Sequence, residues 1–210
     1  MRAIAIVNQK GGCGKTTTVV NLAGSLAADG ARVLVIDMDP QAHATLALGI
    51  DPEMTEANLY EVLADEDGRA LVNQILVEVD PRIEVAPSGI VLSALEQKLA
   101  AEHAEARTER LVGALGQLAR PYDFALIDCP PNVGLLTFNA LRAAQEVIIP
   151  LEASFFAISV LFMWVLPTVP RIGASSRLPP YRPGLYPRNP TIPGFSGGVG
   201  NLGLGAGVGQ

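Results

Sequence analysis

The stretch that decides the fold is Lys10–Thr17, which reads KGGCGKTT and lies between an apolar run, Ala3–Val7, and a helix-like segment, Thr16–Ala28. Glycines in such a turn let backbone N–H groups close around phosphate oxygens, and the N-terminus of the following helix adds the positive end of its dipole. The predicted phosphate-binding residues are Lys10, Gly11, Gly12, Cys13, Gly14, Lys15, Thr16 and Thr17. Within this set Lys15 is placed to reach the β- and γ-phosphates of a nucleotide, and the Thr16 hydroxyl is placed to bind Mg²⁺. The stretch therefore predicts a P-loop, with ATP and Mg²⁺ as its ligands.

The loop departs from the strict pattern GxxxxGK[ST], because Gln9 stands where that pattern has its first glycine. Lys10 and Gly11 then mark it as a deviant P-loop. The alternative is a Gly-rich turn that serves only as a tight connection, and the lysine, the threonines and the strand-to-helix context disfavour it. A dinucleotide-binding GxGxxG pattern starting at Gly12 fails at Thr17, and the formal match at Gly198–Gly203 follows no strand.

Outward from the loop, strand-like and helix-like segments alternate over residues 1–150. Uninterrupted apolar runs such as Val33–Ile36 are typical of parallel strands covered on both faces. The predicted strands are Ala3–Val7, Arg32–Ile36, Arg82–Ala86, Phe124–Ile127 and Glu146–Ile149, and the predicted helices are Thr16–Ala28, Asn58–Ala64, Gly68–Ile75, Ile90–Ala101 and Ala104–Ala119. This succession predicts an α/β fold with a doubly wound, mostly parallel sheet of the P-loop NTPase type.

Two aspartates follow buried strands and are candidates for the same site. Asp128 ends the run Phe124–Ile127, so it should emerge at the carboxyl edge of the sheet and hold Mg²⁺, the position called Walker B. Thr16 and Asp128 are therefore the predicted metal ligands. Asp39 follows Val33–Ile36 in the same way, although a strand-end aspartate can also be a turn or capping residue. The P-loop on a neighbouring strand favours a role in the site for both.

Composition excludes several classes of protein. The net charge is −6, with all 21 acidic residues at or before Glu152, which argues against a protein that binds nucleic acid over its whole surface. The two cysteines form no CxxC pair, so neither a zinc site nor a disulfide framework is predicted. The N-terminus lacks signal-peptide features, and the longest apolar run, Phe155–Leu166, is shorter than the about 20 residues that a membrane span needs. We expect a cytoplasmic protein without membrane contact.

Four segments together resemble the ParA family of partitioning ATPases. They keep the family order and similar spacings, and the resemblance covers residues 2 to about 157. The segments are Asn8–Asn21 (NQKGGCGKTTTVVN), Asp37–Thr45 (DMDPQAHAT), Ala86–Glu96 (APSGIVLSALE) and Tyr122–Leu141 (YDFALIDCPPNVGLLTFNAL). The Asp-Pro-Gln of the second segment favours the ParA branch over the MinD-like branch.

This resemblance implies an ATPase that acts in plasmid or chromosome segregation. Two ATP-bound subunits would form a sandwich dimer in which Lys10 reaches the partner's phosphates and Asp39 orients the attacking water, so these two are the predicted catalytic residues. Gly134 and the segment after Asp128 would act as a switch that senses the γ-phosphate. The implied partners are a ParB-like centromere-binding protein and non-specific DNA, with association to the nucleoid. The alternatives are a MinD-like or cargo-positioning ATPase and a nucleotide-binding fragment without turnover.

The family pattern stops after Glu152–Ala157, and the composition changes. Residues 153–210 hold 8 of the 16 prolines and 10 of the 21 glycines, without helical or alternating periodicity. We predict an ATPase domain over residues 1–166, incomplete at its C-terminal side, and an irregular tail over 167–210. The loss of acidic residues together with a rise in Pro, Gly and Arg indicates a truncation or a reading-frame shift, which makes DNA binding by this chain doubtful. The alternative is a native, disordered tail. Sequencing the gene across codons 155–165 tests this hypothesis.

Overall fold

A six-stranded sheet forms the centre of the described part of the chain. The computed structural model describes residues 1–65, 72–101 and 106–151. The strands are β1 (Arg2–Ile6), β2 (Val33–Asp37), β3 (Val77–Asp80), β4 (Ile83–Ala86), β5 (Phe124–Asp128) and β6 (Glu146–Ile148). Their order is β3-β4-β2-β5-β1-β6, and every pairing is parallel except that of β3 with β4. This order places the ends of β1, β2 and β5 side by side at one edge of the sheet.

Helices cover both faces of this sheet. They are α1 (Lys15–Ala28), α2 (His43–Ala47), α3 (Leu59–Ala64), α4 (Leu92–Ala100), α5 (Arg110–Gly116) and α6 (Leu135–Ala143). Successive residues of a strand point to opposite faces. Val33 and Val35 therefore pack in the same core cluster as α1, whereas Leu34 and Ile36 pack in the cluster that α3 to α6 share. The predicted doubly wound, mostly parallel fold is confirmed.

Several predicted elements differ in extent from those observed. The helix expected over Ile90–Ala101 is α4, and the helix expected over Ala104–Ala119 is a short 3-10 turn at Ala106–Thr108 followed by α5. Of the helix predicted over Gly68–Ile75, the described residues contain a 3-10 turn at Val72–Gln74. The segment predicted over Ala104–Ala119 includes the polar residues Glu109 and Gln117, which cap the two ends of α5 and do not lie within it.

Three elements were not predicted at all, namely α2, α6 and β3. The strand β3 is short and only half-buried, and it pairs antiparallel with β4 through a tight turn around Pro81. Asp80 Oδ1 closes this turn by accepting a hydrogen bond of 2.9 Å from the Arg82 N–H. An aspartate that binds the backbone two residues further on is typical of turns.

The C-terminal predictions concern residues outside the described part of the chain. They are the domain end near residue 166, the irregular tail over 167–210 and the helix expected over Phe155–Leu166. Among the helices that the structure describes, none is long and apolar enough to cross a membrane.

Candidate functional site

The predicted phosphate-binding loop connects β1 to α1. Gly12 and Gly14 have φ angles of 72° and 88°, a left-handed conformation that glycine adopts without steric cost. No other atom lies within 4 Å of the place where a Cβ would stand at Gly11, Gly12 or Gly14. The loop thus presents open backbone at the N-terminus of a 14-residue helix. A phosphate group fits this arrangement, because both the amide groups and the helix dipole favour an anion there.

The two lysines of the loop differ in exposure. Lys15, the first residue of α1, is only 8% exposed, and its Nζ lies 3.4 Å from the Lys10 carbonyl oxygen. Lys10 itself is exposed, and its backbone N–H donates to Asn8 Oδ1 at 2.9 Å. Asn8 also donates to the Pro150 carbonyl at 2.7 Å, which ties the start of the loop to the chain that follows β6. One lysine therefore lies inside the site and the other at its rim.

The predicted metal ligands Thr16 and Asp128 are in contact. Thr16 Oγ1 donates a hydrogen bond of 2.6 Å to Asp128 Oδ2, whereas Asp128 Oδ1 is buried without a hydrogen-bond partner in the described residues. Burial raises the pKa of Asp128 to about 7, and the Thr16 hydrogen bond acts against this rise. A buried carboxylate oxygen without a donor suits a cation, and hydroxyl and carboxylate oxygens are ligands that Mg²⁺ accepts.

The residues present fit Mg²⁺ only as part of a larger ligand set. Within the described ranges, no group of three or more His, Cys, Asp or Glu side chains could hold a metal ion. Mg²⁺ keeps six oxygen ligands and is usually bound by one or two protein groups together with phosphate oxygens and water. The pair Thr16 and Asp128 matches that mode of binding.

A second buried carboxylate, Asp37, lies opposite Asp128 in the register of β2 and β5. Its Oδ2 accepts hydrogen bonds from the N–H and the hydroxyl of Thr45, at 2.8 and 2.7 Å, and its Oδ1 accepts one from the Asp39 N–H at 3.1 Å. Burial nevertheless raises the pKa of Asp37 to about 6. Sequence reasoning assigned Asp37 no role, although it immediately follows the apolar run of its strand.

Asp39 lies in the turn after β2 and is 7% exposed. Its Oδ1 accepts a hydrogen bond of 3.0 Å from the Gln41 N–H. This is the contact that the alternative, a turn residue, predicts. Its charge also contributes to the raised pKa of Asp128, which places the two carboxylates within electrostatic reach of each other. Asp39 therefore combines a turn contact with a position at the site.

Two hydroxyl residues that sequence reasoning did not single out complete this region. Ser88, in the connection from β4 to α4, donates from its hydroxyl to the Asp39 carbonyl at 2.7 Å. The Ser88 N–H donates to Thr45 Oγ1 at 3.0 Å. Both residues lie inside segments that resemble the family, but a single hydroxyl has no spacing pattern that would mark it in advance.

The predicted switch segment packs against α4. A Cβ at Gly134 would overlap the carboxylate of Glu96, and the Leu136 N–H at the start of α6 lies 3.5 Å from Glu96 Oε1. Thr137 Oγ1 donates to the Asn132 carbonyl at 2.7 Å, which closes the turn before α6. The chain after Asp128 is thus bound to α4 through one carboxylate.

The cysteines next to the phosphate site are buried and unpaired. Burial holds the pKa of the Cys129 thiol far above its usual range. A thiol in such surroundings is not reactive.

A cavity of about 70 Å³ lies at the opposite edge of the sheet, where β2, β4 and β5 begin. Tyr122 and Arg120 both donate to the carboxylate of Glu84 in its lining. The lining residues are Arg32, Glu78, Pro81, Arg82, Glu84, Arg120 and Tyr122. The phosphate-binding loop is at the other edge, so this cavity is separate from the site.

Comparison with known proteins gives the family. The sequence model of the AAA_31 family, described as an AAA domain, matches residues 1–172. The chain is 43% identical over 161 residues to the sporulation initiation inhibitor protein Soj of Bacillus subtilis, an alignment covering 76% of this chain and 62% of Soj. It is 42% identical over 178 residues to the chromosome partitioning protein ParA of Caulobacter vibrioides, covering 83% of this chain and 64% of that protein. The chain belongs to the ParA family within AAA_31. The family predicted from the four sequence segments is confirmed.

A solved structure has a similar fold. It is described as a cobyrinic acid a,c-diamide synthase from Mycobacterium smegmatis with bound ADP and magnesium. The two chains are 38% identical with a TM-score of 0.69, and the match covers 77% of this chain and 65% of the other. The chain spans less than two thirds of the length of the ParA-family relatives described here.

Proposed function

We propose that this chain is a ParA-type partition protein that binds and hydrolyses ATP with Mg²⁺ in plasmid or chromosome segregation. The observation that carries the proposal is the contact between Thr16 and Asp128 beside the open loop. It brings together a hydroxyl, the N-terminus of α1 and a carboxylate with one oxygen that no described residue hydrogen-bonds.

Nucleotide binding would rest mainly on α1 and the loop before it. The buried ammonium group of Lys15 would bind the β- and γ-phosphates, together with the backbone amides of residues 11–16. Thr16 and Asp128 would hold Mg²⁺, which supplies positive charge to neutralise the phosphates during transfer. The bound ADP and magnesium of the Mycobacterium smegmatis relative support ATP and Mg²⁺ as the ligands here.

Hydrolysis would depend on Asp39 and Lys10. The Asp39 turn lies on the same edge of the sheet as Asp128, where a carboxylate can orient the water that attacks the γ-phosphate. Lys10 would reach the phosphates of a second subunit, and its exposed position at the rim of the loop supports that role. A cation placed against the developing charge of phosphoryl transfer stabilises the transition state.

A homodimer formed with ATP would cover this edge of the sheet. Large apolar side chains are exposed in the segments that follow β2, β4 and β5, with Leu46 at 53%, Ile90 at 68%, and Val91 and Val133 above 40%. Apolar groups exposed together at one edge are typical of interaction surfaces. The relative named as a chromosome partitioning protein supports partners in partitioning in general. A ParB-like protein is the further partner we propose, and non-specific DNA is the partner that the turnover experiment tests.

A nucleotide-binding fragment without turnover is the second candidate, because the chain spans under two thirds of its curated relatives. ATP hydrolysis measured with and without non-specific DNA separates the two functions. Turnover stimulated by DNA supports the partition ATPase. Tight ATP binding without turnover under both conditions supports the fragment.

A further inference from the structure

Four buried polar residues form one connected set behind the proposed catalytic edge. Asp37, Thr45 and Ser88 have no exposed surface, and Asp39 is 7% exposed. Thr45 donates to the Asp37 carboxylate and accepts from the Ser88 N–H, and the Ser88 hydroxyl donates to the Asp39 carbonyl. The connection between β4 and α4 is thereby bonded both to α2 and to the turn that carries Asp39.

The turn that carries Asp39 has an unfavourable backbone conformation. Ala42 has a φ of 53°, and no other non-glycine residue in the described ranges has a positive φ. Left-handed geometry is costly for residues with a Cβ and persists where surrounding contacts fix it. The Asp39 carbonyl accepts from the Ala42 N–H at 2.9 Å and from the Ser88 hydroxyl at 2.7 Å. Ser88 thus holds this strained turn from the connection that follows β4.

We propose that Ser88 is a positioning residue for Asp39. Its hydroxyl fixes the carbonyl of Asp39, and this fixes the direction in which the Asp39 carboxylate leaves the turn. The role in catalysis rests on the proposed function, in which Asp39 orients the attacking water. Ser88 lies outside the phosphate-binding loop, so its loss should change the rate of hydrolysis without changing the affinity for ATP.

The first test needs no turnover and measures amide hydrogen exchange in the full chain without nucleotide. The Gln41 and Ala42 amides report on the turn, because both donate to Asp39. Ser88→Ala should raise their exchange rates by about tenfold, the effect of losing one buried hydrogen bond. The variant should fold, because the Asp39 carbonyl keeps its bond from Ala42.

The matched control is Ser93→Ala, which removes an exposed serine hydroxyl that donates to the Ile90 carbonyl at 2.7 Å. It should leave the exchange of Gln41 and Ala42 unchanged. Equal exchange rates at these two amides in wild type and Ser88→Ala would overturn the proposal.

The second test is a cycle of ATP turnover. Ser88→Ala should lower kcat by about tenfold while the Kd for ATP stays within about twofold, because misplacement of a catalytic group affects the rate and not the binding. In an Asp39→Ala background the same change should have no further effect, since residues that act as a unit are not additive. Ser88→Thr, which keeps the hydroxyl, should recover part of the rate.

The outcomes of this cycle are separable from those of the proposed function. If Ser88→Ala lowered kcat equally with and without the Asp39 carboxylate, the positioning role would be overturned. A loss of ATP affinity in Ser88→Ala as large as its loss of kcat would overturn it too. A wild-type chain without any turnover would contradict the proposed function instead, and the exchange rates of Gln41 and Ala42 would still decide the role of Ser88.

Discussion

Thr16 Oγ1 and Asp128 Oδ2 lie 2.6 Å apart, so a hydrogen bond joins the first turn of α1 to the end of β5. The two residues are 112 positions apart in sequence. Parallel pairing of β1 with β5 brings them together, because it sets Asp128 opposite Ile6, the last residue of the strand that leads into the phosphate-binding loop. The fold itself therefore brings the two proposed metal ligands into contact.

Lys15→Ala should abolish ATP binding in equilibrium dialysis, because the buried ammonium group is the proposed contact to the β- and γ-phosphates. Lys98→Ala, which removes an exposed lysine of α4, is the matched control and should keep wild-type affinity. Wild-type affinity in the Lys15 variant would refute the P-loop assignment.

Asp39→Ala should leave ATP bound and lower kcat by about 100-fold, because orientation of the attacking water matters once the nucleotide is seated. Steady-state turnover and a binding isotherm, measured on the same preparation, separate the two effects. A variant that loses affinity for ATP and rate together would place Asp39 in binding and not in hydrolysis.

Lys10→Ala should lose hydrolysis and ATP-dependent dimerisation together, since the proposed target of Lys10 is a phosphate in the other subunit. Sedimentation velocity with and without a non-hydrolysable ATP analogue measures the dimer. Normal dimerisation of the variant with the analogue would contradict the cross-subunit role.

Gly134→Ala should destabilise the chain, because the added Cβ would overlap the Glu96 carboxylate. Because the overlapping atoms are the far end of a flexible side chain that can turn away, the expected loss is at most about 1 kcal/mol in the free energy of unfolding, measured by urea denaturation. Removing the obstacle in the double variant Gly134→Ala/Glu96→Ala should recover most of it.

Gly113→Ala is the control for this prediction. Gly113 is exposed within α5, and apart from the adjoining backbone of its own helix no described atom lies within 4 Å of the place where its Cβ would stand. Alanine there should stabilise the chain by about 0.5–1 kcal/mol, since glycine is a poor helix former. Equal effects at Gly113 and Gly134 would show that Glu96 does not occupy the space beside the switch segment.

The raised pKa of Asp37 makes stability depend on pH. Its ordinary value is 3.8 and burial raises it to about 6, so between these values the folded state binds more protons than the unfolded state. The contribution of Asp37 to stability is therefore fully present below about pH 4 and lost as the pH rises through about 6. At about 1.4 kcal/mol per pH unit the loss is roughly 3 kcal/mol. The difference in free energy of unfolding between wild type and Asp37→Asn, followed from pH 4 to 7 without nucleotide, measures it. A difference that does not change with pH would contradict the burial of an ionisable Asp37.

The sequence predicts the parallel core of the fold because Val33–Ile36 and Phe124–Ile127 are uninterrupted apolar runs that only buried strands accommodate. It also places the loop and Asp128 at one edge, since the carboxyl ends of parallel strands meet there. The strand β3 could not be predicted from the sequence, because it is four residues long and half-exposed. The roles of Thr45 and Ser88 could not be predicted for a different reason. Their roles depend on the pairing of β2 with β4, because this pairing brings the segment after β2 next to the segment after β4. A local sequence pattern does not predict which strands pair.

Calorimetric titration of the wild-type chain with ATP, in Mg²⁺ and in EDTA, tests the central claim most directly. We expect Mg²⁺ to raise the affinity for ATP by about tenfold or more, and we expect Asp128→Asn to lose most of that gain while keeping its affinity in EDTA. The reason is that Asp128 acts on the nucleotide through the metal ion and not by direct contact. An affinity that is the same with Mg²⁺ and with EDTA, or an absence of ATP binding in both, would contradict the account.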